Sequence, residues 1–149
     1  MSSNMIVLKG KGHYEEGVLT TTASPGMGLE RSTGNSYARI TASQANALKG
    51  LDGLIIALED SLQGKTKDDA YAIGDVVSAY TPVPGDVVQV LIKDGETIAD
   101  GDSIIPEGGG TGLWVEAASS STTDFPLKAK EAVSPSGSNA LCEVEVLRV

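Results

Sequence analysis

The chain has 149 residues, 20 acidic against 11 basic side chains, a net charge of −9, and one Trp, four Tyr and one Phe. That length suits one domain, the charge argues against a binder of nucleic-acid backbone, which needs a basic face, and Cys142 alone excludes a disulfide framework or a multi-cysteine zinc site. No stretch approaches the roughly 18 apolar residues of a membrane helix, no charged-then-apolar leader opens the chain, so no signal peptide is expected, and the single thiol fits a reducing compartment.

In chain order, periodicity favours strands. Met5-Ile6-Val7-Leu8-Lys9 is short, apolar and bounded by Gly10-Lys11-Gly12. Gly17 to Thr22 reads as a strand that ends at the turn signal Ser24-Pro25-Gly26. Ser32 to Ser36 reads as a loop, followed by a strand over Tyr37 to Thr41. Residues 42–62 are ambiguous. Leu48, Leu51, Ile55, Leu58 and Leu62 have helical spacing, but Gly50 and Gly53 interrupt it. The preferred reading is a loop over 42–53 and a strand over 54–59.

Gly74-Asp75-Val76-Val77 and Gly85-Asp86-Val87-Val88 each place a Gly-Asp turn before β-branched residues, and Asp100 to Ile105 repeats the idea loosely. Asp94-Gly95 predicts a hairpin between Val88 to Ile92 and Glu96 to Ile98. A glycine-rich loop, Pro106 to Gly112, leads to a strand at Leu113 to Glu116, and Ala117 to Thr123 reads as a polar loop. In Leu141 to Val149 the alternation is cleanest, with Cys142, Val144 and Val146 on one face. Cys142 is therefore expected to be a packed structural thiol. The pattern as a whole predicts an all-β chain: a small β-sandwich or barrel with an extended N-terminal segment, long loops and at most a short helix. Residues 1–16 are read as an N-terminal arm or edge strand, and 17–149 as a single β-rich domain.

Motifs for chemistry do not assemble. Gly64-Lys65-Thr66 lacks the upstream glycine of a phosphate loop, since that position is Glu59, and Asp68 and Asp69 would repel phosphate. His13 has no obvious metal partners and no Gly-x-Ser-x-Gly elbow accompanies it. Asp94, Glu96, Asp100 and Asp102 lack the closing glutamate of a calcium loop and read as solvated turn carboxylates. No catalytic, cofactor or metal residue is assigned. Gly95 to Asp102 is similar to the half-repeat of biotinyl and lipoyl carrier domains, but without their modified lysine. A non-enzymatic β-barrel binding or carrier module of hammerhead type is the alternative reading.

Ala57-Leu58-Glu59 ahead of Gly64-Lys65-Thr66, then Tyr71-Ala72-Ile73-Gly74-Asp75 and Pro84-Gly85-Asp86, resembles in order and spacing the capsid decoration, or cement, proteins of tailed bacteriophages. Ala129 to Val133 and Glu143 to Val146 resemble the closing hairpin of that family. The resemblance covers roughly residues 50–149. It implies a structural virion protein that binds the phage major capsid protein on the capsid exterior, bridges its subunits as a homotrimer and does no chemistry. The resemblance further implies no cofactor, no nucleic-acid or membrane partner, and synthesis in the host cytoplasm.

Charge placement suggests which face does this. Residues 1–50 hold five basic and three acidic groups, whereas 51–110 hold three basic and twelve acidic. The middle is expected to face solvent and the first third to touch a partner. Met5, Ile6, Val7, Leu8, Lys9 and Lys11 are the candidate capsid or subunit contacts, through strand addition to a neighbour. Deletion of residues 1–12 is then expected to abolish binding and leave the fold intact.

Overall fold

A computed structural model describes residues 5–41, 54–117 and 127–147. The chain is all-β. Its described residues form eleven strands and one 3-10 turn at Ser61–Gln63. β1 is Val7–Lys9. β2 (His13–Leu19), β3 (Gly28–Arg31), β4 (Ser36–Arg39), β5 (Ile55–Ala57) and β6 (Val76–Thr81) follow. β7 (Val87–Ile92), β8 (Ser103–Pro106), β9 (Trp114–Glu116), β10 (Leu127–Ala129) and β11 (Ala140–Val146) complete the set.

The strands close into two five-stranded barrels of one topology. The first runs β2-β4-β3-β5-β6 and returns to β2. The second runs β7-β9-β8-β10-β11 and returns to β7. In each, a single parallel pair, β2 with β4 or β7 with β9, sits among antiparallel ones. The correspondence extends to individual bonds. Thr20 N–H donates to Tyr37 O at 2.9 Å, and Lys93 N–H to Trp114 O at 3.0 Å. Gly26 N–H donates to Ala57 O, and Gly101 N–H to Ala129 O, both at 2.8 Å. The isolated bridge Ala23 to Tyr71 has its counterpart in Ile98 to Val133. These pairs align Leu19 with Ile92, Tyr37 with Trp114 and Ala79 with Val144.

Each barrel fills its interior from alternate residues. Leu19, Leu29, Tyr37, Ile55, Ala57, Val77 and Ala79 form the first core. Val90, Ile92, Ile104, Trp114, Leu127, Cys142, Val144 and Val146 belong to the second. That second core also takes in Ile6, Leu54, Ile56, Leu58 and Tyr80 from outside the second barrel, so the two barrels share buried surface.

The junction is a wedge. In the first barrel Val18 N–H closes directly on Asn35 O at 3.0 Å. At the equivalent place in the second barrel, the start of β3 enters between β7 and β9. Leu91 N–H donates to Gly26 O at 3.0 Å, and Gly28 N–H donates to Gly112 O at 2.9 Å. Gly26 O also accepts the Trp114 indole Nε1–H at 3.1 Å. Glycine suits this close insertion. A Cβ on Gly26 would lie 2.6 Å from Leu141 Cδ2, and one on Gly28 would lie 3.0 Å from Trp114 Cζ2.

Three Gly-Asp strand starts are one repeated turn. Asp75, Asp86 and Asp102 each donate a backbone N–H to the carbonyl three residues earlier, at 3.1 Å in every case. Their carboxylates reach back to accept the N–H of Ala72, Val83 and Ala99 at 2.7–3.0 Å. The glycine before each has φ near +90°, which an L side chain rarely adopts. These acids therefore define turns that start β6, β7 and β8.

The expected strands at 5–9, 37–41, 54–59, 113–116 and 141–149 are present, with shorter bounds. Residues 42–53 and most of 117–123 lie outside the described residues. β2 begins at His13, inside the segment read as an arm. The expected hairpin across Asp94-Gly95 does not form a ladder. The turn is there, but β7 pairs with β1, β9 and β11, and Ile98 bridges Val133 instead. Barrel closure takes both edges of β7, so none remains for the next segment.

Candidate interaction surface

The candidate contact residues lie where the two barrels meet. β1 pairs antiparallel with β7, Val7 opposite Val88 and Lys9 opposite Val87. Gln89 N–H donates to Ile6 O, and Gln89 Nε2 donates to Met5 O, each at 2.7 Å. Ile6 N–H donates to Glu59 Oε2 at 2.9 Å, and its side chain is fully buried. The strand addition expected of residues 5–9 thus occurs within the chain. Ile6 is a core residue, Val7 and Leu8 are half-buried, and Met5, Lys9 and Lys11 are exposed.

A buried polar hub fixes the arm behind β1. Asp86 is 3% exposed and Tyr80 is fully buried. Tyr80 Oη–H donates to Asp86 Oδ2 at 2.5 Å and accepts Gly12 N–H at 2.7 Å. Val83 N–H donates to Asp86 Oδ2 at 3.0 Å, and Lys11 N–H donates to Asp86 Oδ1 at 3.1 Å. Burial alone would raise the Asp86 carboxyl. The Tyr80 hydroxyl and the N–H groups of Val83, Lys11 and Gly12 stabilise its anion, and the net position is below the ordinary carboxylate value. Burial, then the bond to Asp86, pushes the Tyr80 phenol up to about 12. Any Cβ on Gly10 would collide with the Tyr80 hydroxyl, so Lys9-Gly10-Lys11-Gly12 carries its glycines to let the arm lie on that ring.

Deletion of residues 1–12 cannot be neutral to the fold, contrary to the expectation from sequence. It removes Ile6 from a core, the Lys11 donor from the buried Asp86 carboxylate and the Gly12 donor from the Tyr80 hydroxyl. Nor does the whole acidic middle face solvent, since Asp86 is interior and Asp75 and Asp102 are half-buried in turns.

The mouth of the first barrel is polar where the second is apolar. Glu15 Oε2 accepts Tyr37 Oη–H at 2.8 Å and pairs with Arg31 Nη1 at 2.9 Å. The hydrogen bond from Arg31, then that from Tyr37, holds the Glu15 carboxyl below its usual value. Beside it lies a cleft of about 570 Å³ walled by Met5, Val7, Tyr14, Leu58 and Leu62, with Glu15, Glu16 and Glu59 among its lining carboxylates. Tyr14 is 63% exposed and Leu62 is 89% exposed. Sequence reading missed this surface, because it is assembled from β1, β2 and the segment after β5. The exposed Tyr14 was its one visible signal.

The remaining motif residues do structural work or sit at the surface. His13 is exposed at the start of β2. Gly64 ends the 3-10 turn with φ +72°, and Asp69 accepts Thr66 N–H at 2.7 Å. Asp94 Oδ1 accepts Gly137 N–H at 2.9 Å. Cys142 is fully buried, and burial pushes its thiol up to about 12.

No family model and no curated protein matches the chain. Among solved structures it is similar to the N base of the head fiber protein gp8.5 of bacteriophage phi29, with a TM-score of 0.56 and 13% identity. The match covers 91% of this chain and 94% of that one. At that identity the likeness establishes the fold, and it spans both barrels.

Proposed function

We propose that the chain is a structural virion protein that binds the outer surface of an assembled phage capsid. In this reading it stabilises the shell by bridging major capsid protein subunits, acts as a homotrimer and carries out no catalysis. The observation that carries the reading is the near end-to-end fold likeness to the base of a phage head fiber. The order of the Gly-Lys-Thr, Gly-Asp and Pro-Gly-Asp signals, which resembles that of decoration proteins, supports it independently. A protein of this kind works through contact area and copy number, so modest individual contacts on a repeating shell add up by avidity.

The test is to mix purified protein with expanded, undecorated phage shells and measure co-sedimentation, with light scattering on the free protein for its mass. Saturable binding at a fixed ratio to capsid subunits is expected. Absence of binding across a range of salt concentrations overturns the proposal. A free monomer that forms no threefold cluster on the shell overturns the trimer.

A further inference from the structure

We propose that the N-terminal half of β2, Tyr14 to Glu16, is a strand-addition site for an extended, lysine-bearing apolar segment of a different protein chain. The starting point is backbone alternation. Leu19 N–H donates to Asp75 O at 2.9 Å, so the β2–β6 register makes Gly17 with Val77 and Glu15 with Ala79 the bonded pairs. Tyr14, Glu16 and Val18 therefore aim their N–H and C=O groups away from β6. Val18 N–H finds Asn35 O. Among the described residues nothing meets the outward groups of Tyr14 and Glu16.

The second barrel shows what fits such an edge. Val87, Val88 and Gln89 correspond to Tyr14, Glu15 and Glu16. There the edge is occupied by β1, which is extended, antiparallel and apolar with lysine at Lys9. Gln89 N–H donates to Ile6 O at the position where Glu16 N–H has no partner. One chain thus supplies a strand to one of two equivalent edges.

Side chains around the open edge define the occupant further. The cleft beside Tyr14 offers an apolar seat formed by Met5, Val7, Leu58 and Leu62. The Glu15 carboxylate is held by Arg31 and Tyr37, and one Glu59 oxygen by Ile6 N–H. Glu16 is exposed and bonded to no described residue, which leaves it for a cation on the incoming strand. A second copy pairing β2 against β2 in antiparallel fashion would set these glutamates against each other, and like charges across a ladder are destabilising. β1 of a second copy is engaged on its own β7. The geometry therefore favours an extended segment of another chain, with apolar residues alternating and a basic residue opposite Glu16. This inference stands on the edge geometry and does not depend on shell binding.

The test uses the full protein and a capped peptide with the sequence of residues 5–11, Met-Ile-Val-Leu-Lys-Gly-Lys, followed by amide NMR. Saturable shifts and slowed exchange at the Tyr14 and Glu16 amides are expected, with affinity falling as salt rises. Glu16→Pro removes an N–H that no ladder bond uses, so it should fold and lose peptide binding. The same peptide N-methylated at alternate residues provides a second arm on the unaltered protein, independent of how the proline variant folds, and the methylation pattern that blocks the β2-facing groups should abolish binding. Three results overturn the proposal: no shift at those amides at saturating peptide, shifts confined to Val87 to Gln89, or equal binding of the blocked peptide.

Discussion

Replacing Asp86 is the most direct test of how the arm, the barrel junction and the start of β7 are held together. The carboxylate is 3% exposed and accepts bonds from Tyr80, Val83 and Lys11 at 2.5, 3.0 and 3.1 Å. A hydrogen bond to a charged group contributes about 1.5–3 kcal/mol, and members of one network do not add fully. Asp86→Ala also leaves a buried phenol and two partly buried amides without an acceptor, so a loss of about 3–5 kcal/mol is expected. Against a total stability of roughly 5–15 kcal/mol, that is a large fraction. With a urea dependence of about 2 kcal/mol per molar, the midpoint should fall by roughly 1.5–2.5 M. Tyr80→Phe should cost less, since it leaves the Val83 and Lys11 bonds in place, and a double-mutant cycle should show coupling of at least about 1 kcal/mol. The pH dependence has a definite sign. The folded Asp86 carboxyl lies below its unfolded value, so its contribution is complete above about pH 4 and is lost as pH falls through the folded value. Asp86→Asn should flatten that acid limb. A cost for Asp86→Ala under about 1 kcal/mol, or an unchanged acid limb in Asp86→Asn, would refute the reasoning.

Ile6→Ala removes a fully buried side chain from the shared core and should cost about 2–4 kcal/mol in a urea titration; a neutral result would mean that β1 is not docked on β7. Gly26→Ala places a Cβ 2.6 Å from Leu141 Cδ2 at a φ of +91°. It should cost about 2–4 kcal/mol and shift Trp114 fluorescence to the red, while native emission would refute the wedge. Cys142, buried with its thiol pushed up to about 12, should resist a disulfide reagent in the native state and react only on unfolding. Stoichiometric labelling without unfolding would contradict its place in the core.

Local signals in the sequence translated well into local structure. The alternation of Cys142, Val144 and Val146 became the buried face of β11. Each Gly-Asp pair became a turn that starts a strand, because the glycine supplies the backbone angle and the aspartate closes the loop with its own carboxylate. β3 was not legible. Gly26-Met27-Gly28-Leu29 looks like a turn, yet its glycines are there to pass between β7 and β9 against Trp114, a residue 88 positions away from Gly26. The duplication was equally hidden. Equivalent positions hold Gly17 and Val90, or Tyr37 and Trp114, because each barrel divides its interior volume differently. A Cβ on Gly17 would meet the Tyr37 ring at 2.6 Å, so the first barrel trades side-chain volume between two strands. The candidate contact segment was visible as a strand. Which edge it joins is decided by Asp86 and Tyr80, 75 and 68 residues from the groups they bind in the arm.

The two barrels therefore differ chiefly at one edge, and that difference organises the molecule. Along β7 and the residue that follows it, three outward amides are taken from three different places: Gln89 by Ile6 just before β1, Leu91 by Gly26 just before β3, and Lys93 by Trp114 of β9. On β2 the corresponding amides of Val18 and Thr20 bond to Asn35 and Tyr37 within the same barrel. The seam between β7 and β9 is thus completed in part by the first barrel, and the two share a core that takes in apolar residues on the outside of β5 and β6, Ile56 and Tyr80 among them. The first barrel is closed on itself and keeps a polar mouth, with Glu15 at the position where the second has Val88. A buried apolar edge commits to a permanent partner in the same chain. An exposed edge flanked by carboxylates can remain soluble and still pair with a strand of opposite charge. On this reasoning the second barrel is the structural half of the protein, and the first barrel presents its interaction surface.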